Sequence, residues 1–311
     1  MASTKEIKNR IESVRDTKKI TNAMYLISST KLRKARRDLD ATRPYFEALG
    51  TEIKRIFRTA EYVESPYFYP PDNDTNPLDG TYACLVVTAD KGLAGAYNQN
   101  VLKEAEKMRR DHSDTVFYVV GEYGRHYFTP HKIPIGPSFL YTAQNPTMDR
   151  AREISSILLE RFEKGDFAKI FIIYTDLKSS ISSEANGFRL LPFHRSTFAT
   201  PSHTKEKAMN EPLEFVPSVE VVLNSIIQSY VSGYIYSALI DSFCSEQNAR
   251  MTAMDAANKN AEKLLSELSL EYNRVRQAAI TQEITEVSAG AKAQRAQRAA
   301  KAQRAMRGTE G

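Results

Sequence analysis

Between Pro217 and Gly290 the chain runs for 72 residues with no proline and a single glycine, Gly233. Its middle, SEQNARMTAMDAANKNAEKLL (245–265), is dominated by Ala, Met, Glu, Lys and Gln, which favour helix. At about 1.5 Å per residue, an unbroken helix here is roughly 110 Å long. A compact chain of 311 residues has a radius of gyration of only about 20 Å, so the helix either breaks or leaves the globule. A spacing of four and three runs through Leu223, Ile226, Tyr230, Gly233, Ser237, Ile240, Cys244, Gln247, Met251, Met254, Asn258, Ala261, Leu265, Leu268, Tyr272, Val275 and Ala279. That is the seam of a coiled coil. Its small residues let helices approach closely, and its polar ones fix register at a cost in stability.

A partner for this helix lies at the other end of the chain. Residues 1–43 hold neither Gly nor Pro. Apolar positions recur at Ile7, Ile11 and Val14, at Ile20, Met24 and Ile27, and at Leu32, Ala35 and Leu39. Ser3 or Thr4 caps the start, with Glu6 as the capping-box partner of Ser3. With Pro44 tolerated, this helix runs to about Thr59. It is the shorter of the two. The C-terminal helix therefore continues alone past it, and a polar helix on its own needs a surrounding partner or many ion pairs.

The region between them has a different style. Residues 62–80 carry four prolines with several Asp and Asn, which reads as a loop. Strands are expected at 81–88, 115–120 and 168–175, and an edge strand at 187–198 because it contains Pro192. Helices are expected near 98–111, 122–128 and 147–164. Alternation of this kind indicates a largely parallel sheet. The fold class is thus α/β: a long antiparallel coiled coil of the N- and C-terminal helices plus a small Rossmann-like α/β domain. The segments are a helix over 1–60, a linker over 61–80, the α/β domain over 81–200 and a loop over 201–217. A helix over 218–290 and a basic extension over 291–311 complete them.

Charge is uneven. Residues 1–43 carry a net +7 and residues 289–311 a net +5, against +5 for the whole chain. Acidic partners for the two ends follow, either nucleic acid or an acidic protein surface. Nothing approaches the ~18 apolar residues of a membrane span, and the first residues lack the apolar stretch of a signal peptide. Two cysteines suit a reducing compartment. Gly92 and Gly95 in ADKGLAGAYN (89–98) match neither dinucleotide nor Walker spacing, so a tight strand-to-helix turn is expected. The five histidines, 112, 126, 131, 194 and 203, lack metal-ligand spacing, and no cofactor is expected. A nucleotide-dependent enzyme would leave both end helices without purpose. A basic coiled-coil nucleic-acid binder would leave the central domain unexplained.

Three stretches together resemble the gamma subunit of the rotary (F-type) ATP synthases, the central shaft of the catalytic head. They are IKNRIESVRDTKKITNAMYLISSTKLRKA (7–35), ADKGLAGAYN (89–98), and SEQNARMTAMDAANKNA (245–261) continuing into YNRVRQAAITQEITE (272–286). The chain departs from the family at LISSTK, at Lys91, Ala94 and Ala96, and in its tail after Gly290. That tail reads as a continued helix or as a basic arm. The resemblance implies a non-catalytic subunit without a cofactor. Its coiled coil would stand inside a hexamer of alpha and beta subunits, and its foot would sit on the membrane rotor ring with the epsilon subunit. A peripheral place on the cytoplasmic face of a bacterial plasma membrane follows, with no nucleic acid. The resemblance puts Met24, Glu246, Arg250, Arg276, Gln277, Thr281, Glu283 and Glu286 on the surface facing the hexamer.

Overall fold

The computed structural model describes residues 4–59, 63–69, 80–136, 140–177, 183–199 and 215–307. The expected cap at Ser3, residues 70–79 of the linker and His203 lie outside them. In chain order the elements are α1 (Thr4–Thr59), β1 (Tyr82–Val87), α2 (Tyr97–Asp111), β2 (Thr115–Val120) and α3 (Glu122–Phe128). There follow α4 (Met148–Glu163), β3 (Lys169–Leu177), β4 (Ser183–Leu191), α5 (Ser196–Ala199) and α6 (Val219–Arg307). The chain divides into two units, Met24–Ala253 and the combination of Met1–Ala23 with Met254–Gly311. Both α1 and α6 contribute to each.

The larger unit is built on a sheet of order β2-β1-β3-β4. The first three strands are parallel and β4 is an antiparallel edge. Central parallel strands are covered on both faces, which is why YACLVV and TVFYVV read as unbroken apolar runs. Strand alternation sorts their side chains. Cys84, Val86, Phe117 and Val119 pack with Val101 and Leu102 of α2 and Phe128 of α3. Leu85, Val87, Tyr118 and Val120 face the other way, into a core shared with Ile154 and Leu158 of α4. That core also takes in Leu32, Leu39, Ile53 and Ile56 of α1 and Leu223, Ile227, Val231 and Ile235 of α6. Each fully buried Leu, Ile or Val contributes about 1.5–3 kcal/mol relative to exposure. Thr147 caps α4, its hydroxyl accepting from Arg150 N at 3.3 Å.

The edge strand lies earlier than its sequence suggests. It spans Ser183–Leu191 rather than 187–198. Pro192 has no N–H to donate, so the ladder stops before it. Phe193 instead pairs with the 67–69 segment, donating to Tyr67 O at 2.8 Å and accepting from Tyr69 N at 3.1 Å. A short α5 then occupies what was expected to be strand.

Within this unit α1 and α6 run antiparallel, since Gly50 approaches Tyr230 and Phe46 approaches Gly233. The ring of Phe46 lies where a side chain on Gly233 would be, its Cδ1 2.0 Å from an ideal Cβ there. Gly233 of the long helix is therefore a seat for an aromatic ring.

In the smaller unit the helices are antiparallel as well. Lys18 Nζ meets Glu262 Oε1 at 2.8 Å, and Thr21 donates to Asn258 Oδ1. The expected α6 seam holds as far as Val275: Met254, Asn258, Ala261, Leu265, Leu268, Tyr272 and Val275 are each buried or half-buried, whereas Ala279, also expected in it, is exposed. On α1 the seam is Ile7, Ile11, Val14, Lys18 and Thr21. Ile20 does not join it and is 62% exposed. Periodicity of apolar residues misplaces it because Lys18 and Thr21 take the seam through polar contacts. From Arg276 to Arg298 every α6 residue is exposed. The helix nevertheless continues through Gly290 to Arg307.

Candidate partner interface

The first three assigned residues fall in the larger unit, around the turn after β1. Asp90 shapes that turn. Its Oδ1 accepts from Ala143 N at 3.0 Å and Glu122 N at 3.2 Å. Asn98 Oδ1 accepts from Ala89 N at 2.9 Å. Ala89, Ala94 and Tyr97 then bury against Ala249 of α6, and the Tyr97 hydroxyl bonds Ser242 Oγ at 2.7 Å. The turn thus docks α6 at the carboxyl end of the sheet.

Arg250 closes that contact. Its Nη2 donates to Gly92 O at 3.1 Å and Lys91 O at 3.3 Å, and its Nη1 donates to Glu246 Oε1. The turn presents carbonyls to a guanidinium. A phosphate cradle would present N–H donors, so the tight-turn reading of DKGLAG fits the geometry. Gln247 Nε2 also donates to Glu246 Oε1, at 3.2 Å. The side chains of Glu246 and Arg250 are only 5% and 11% exposed. The resemblance assigns them to a partner-facing surface, but here Glu246 is enclosed and holds Arg250 in place. Glu246 Oε2 is buried with no hydrogen-bond partner among the described residues. Burial raises its pKa, opposed by Arg250 and reinforced by the Asp90 charge.

Met24 is half-buried. With Ile27, Leu93 and Lys91 it lines a cleft of about 280 Å³ that reaches Glu246 and Arg250. Leu93 was not among the residues read as functional. It sits at φ 61° and is 67% exposed. A large apolar residue held between two glycines in a turn was its signal in the sequence. A left-handed φ at a non-glycine is uncommon and clusters at ligand clamps and switches.

The remaining five, Arg276, Gln277, Thr281, Glu283 and Glu286, all lie in the smaller unit and are exposed. Their hydrogen bonds are local to the helix. Thr281 donates back to Gln277 O at 2.9 Å, and Glu286 accepts from Gln282 Nε2 at 2.9 Å. Among them stand Ile280, Ile284 and Val287, exposed large apolar residues. At spacings of four and three they share one face of α6. Scattered exposed apolar residues are ordinary, whereas an aligned row marks an interaction face. Among the described residues, no group of three or more His, Cys, Asp or Glu is arranged to hold a metal ion. No described helix is long and apolar enough to cross a membrane.

These surfaces define a coiled-coil protein carrying an α/β domain, with exposed polar and apolar side chains on the helix that outruns its partner. The chain belongs to the ATP synthase family, whose sequence model matches residues 3–294. The ATP synthase gamma chain of Acetivibrio thermocellus is 40% identical over 296 residues, covering 94% of this chain and 99% of that one. The gamma chain of Ruminiclostridium cellulolyticum is 41% identical over 290 residues, covering 93% and 98%. A chain in the cryo-EM structure of the Euglena gracilis mitochondrial ATP synthase shares the fold. Its TM-score is 0.63 at 15% identity, with 94% of this chain and 95% of that one covered. The family read from the end motifs is the family found.

Proposed function

We propose that this chain is the rotating central shaft of an ATP synthase and carries out no bond chemistry itself. The observation that carries the reading is α6 beyond Val275. In a chain matching the ATP synthase family model over residues 3–294, this helix leaves its partner yet keeps a row of exposed apolar and charged side chains. Its surroundings are then the bore of the alpha–beta hexamer. The α/β domain rests on the rotor ring with the epsilon subunit, on the cytoplasmic face of a bacterial plasma membrane.

Ion flow turns ring and shaft together. A helix carries different side chains at each angle, so three catalytic subunits around it meet three different surfaces. Differential contacts of this kind are what shifts a conformational equilibrium. Arg276, Gln277, Thr281, Glu283 and Glu286 supply them along the exposed helix. Exposed polar pairs are worth roughly 0–1 kcal/mol each, weak enough to be exchanged at every step. At the turn, Met24 and Leu93 offer an apolar contact, Arg250 a cation, and Glu246 the carboxylate that positions that cation.

The test is a mild-detergent purification of the chain from its native membranes with ATPase assay. Alpha and beta subunits at about three copies each per chain, with hydrolysis activity, is the expected outcome. Recovery of nucleic acid, or of the chain without ATPase subunits, would overturn the reading.

A further inference from the structure

Another cleft of the larger unit, of about 520 Å³, lies between α1 and α6. Its origin is in the sequence. Gly50 of α1 and Gly233, Ser237 and Ala238 of α6 line it, and small residues on facing helices leave volume that their neighbours must fill. Phe46 fills part of it, since its ring takes the seat at Gly233. The rest stays open, walled by Tyr174 of β3, Phe198 of α5, and Tyr230 and Tyr234 of α6. Sites for small organic molecules are of this kind: about 300–1,000 Å³, largely apolar and aromatic, with a few convergent polar groups.

The polar groups specify the ligand. The hydroxyls of Tyr174 and Tyr234 hydrogen-bond to each other, and burial raises the pKa of both and of Tyr230. All three rings are therefore uncharged at neutral pH. The charges lining the cleft come from one stripe of α1: Arg43, Glu47 and Lys54. Arg43 acts on the buried Asp241 carboxylate, and Glu47 is exposed. Lys54 lies three helical turns beyond Arg43, roughly 16 Å along the axis. It is half-buried, and no hydrogen bond or ion pair joins it to another described residue. A cation held beside buried aromatic rings loses hydration unless an anion meets it. Antiparallel pairing puts Tyr230 near that end, since Gly50 approaches it. The Tyr230 ring packs edge-on against Phe198, with centroids 5.7 Å apart.

We propose that this cleft binds a planar aromatic monocarboxylate, its rings among Tyr230, Tyr234 and Phe198 and its carboxylate on Lys54. A second negative charge would meet Glu47 or the Asp241 carboxylate, which excludes nucleotides and other polyanions. Such a ligand touches α1, α5 and α6 at once. It binds the folded larger unit and not the unfolded chain, so it ties the stability of the α1–α6 joint to its own concentration. The binding is a property of the larger unit and holds whether or not the chain assembles with alpha and beta subunits.

The experiment titrates the full-length chain calorimetrically with naphthoate, with the neutral isostere naphthamide and with ADP. Naphthoate should saturate one site with a Kd of about 0.1–1 mM, ordinary for a ligand of its size. Naphthamide should bind about tenfold more weakly, and ADP more weakly still. Two variants locate the site. Lys54→Gln, which keeps helix propensity close to that of Lys, should weaken naphthoate about tenfold and leave naphthamide unchanged. Ser237→Phe fills the cleft and should abolish binding of both. Naphthoate bound equally by the parent and the Lys54→Gln chain would overturn the proposal, and that comparison decides the matter even where Ser237→Phe fails to fold. So would naphthamide or ADP binding as tightly as naphthoate, binding that survives Ser237→Phe in a folded chain, or no saturation by about 10 mM.

Discussion

The same two helices pair by different physics in the two units. In the larger unit the pairing is apolar and dense: Leu32, Leu39, Ile53 and Ile56 of α1 share a core with Leu223, Ile227, Val231 and Ile235 of α6. In the smaller unit Ile7, Met254 and Leu268 are the buried apolar residues among those described. Its other cross-helix contacts include Lys18–Glu262 and Thr21–Asn258. Polar seam contacts fix register and direction but add little stability. The larger unit can hold its helices unaided. The smaller one gains from anything that binds its folded form and not its unfolded form, as a surrounding partner would.

The largest effect is expected at Gly233. An alanine there places its Cβ 2.0 Å from Phe46 Cδ1 and 2.1 Å from Cε1. The Phe46 ring is itself packed 6.4 Å from that of Tyr236, so relief requires the ring or the helices to shift. Gly233→Ala should cost about 3 kcal/mol, read as a lower denaturant midpoint at unchanged slope. Adding Phe46→Ala should recover part of the loss. A cost under about 1 kcal/mol would mean that the apolar pairing is looser than the comparison requires.

In the smaller unit Leu268→Ala should cost about 2 kcal/mol, the low end for a buried leucine because its surroundings are partly open. The loss should stay local. Hydrogen exchange should quicken in α1 before Ala23 and in α6 after Met254, with the sheet amides unchanged. Slower exchange throughout, or quickening of the sheet, would show one cooperative body where the comparison has two.

Apolar pairing also has an internal opponent. Asp241 lies on α6 in the larger unit, and burial raises its pKa to about 6, with the Asp176 charge adding and Arg43 opposing. The folded state therefore keeps this proton up to about pH 6, while the unfolded chain releases it near 4. Between those values the unfolded state binds fewer protons, so stability falls as pH rises from about 4 to about 6 and is level above. Asp241→Asn should remove that slope and stabilise by about 1–2 kcal/mol at neutral pH. Urea denaturation at pH 4.5 and 7, both round values about the two pKa limits, reads both effects. A variant that is no more stable at the higher pH would place the penalty elsewhere.

Much of this was legible in residue spacing because the relevant forces are periodic. The α6 seam from Met254 to Val275 is a four-three pattern, and the parallel strands announce themselves as apolar runs. What was missed depends on partners distant in sequence. Lys18 and Thr21 enter the seam through Glu262 and Asn258, and no reading of α1 alone ranks them above Ile20. Strand β4 is positioned by pairing with β3 and is followed by the Phe68–Phe193 bridge. The Glu246–Arg250 pair has helical i,i+4 spacing, visible in the sequence. Its enclosure is not, since the carbonyls that complete it belong to Lys91 and Gly92.

The smallest expected effect bears on the far end of α6, where neither kind of pairing operates. Gly290 lies inside the helix, and a Cβ added there would meet nothing within 4 Å. No packing or clash can then contribute, and only the backbone term remains. Replacing a helix-interior glycine by alanine stabilises helix by about 1 kcal/mol. Gly290→Ala should therefore leave the denaturant midpoint of the larger unit unchanged while slowing amide exchange from about Glu286 onward roughly fivefold. If exchange there is unaltered, helicity beyond Gly290 is set by something other than local propensity. If the midpoint of the larger unit moves as well, the two modes of pairing are coupled along α6, and the division between them has to be redrawn.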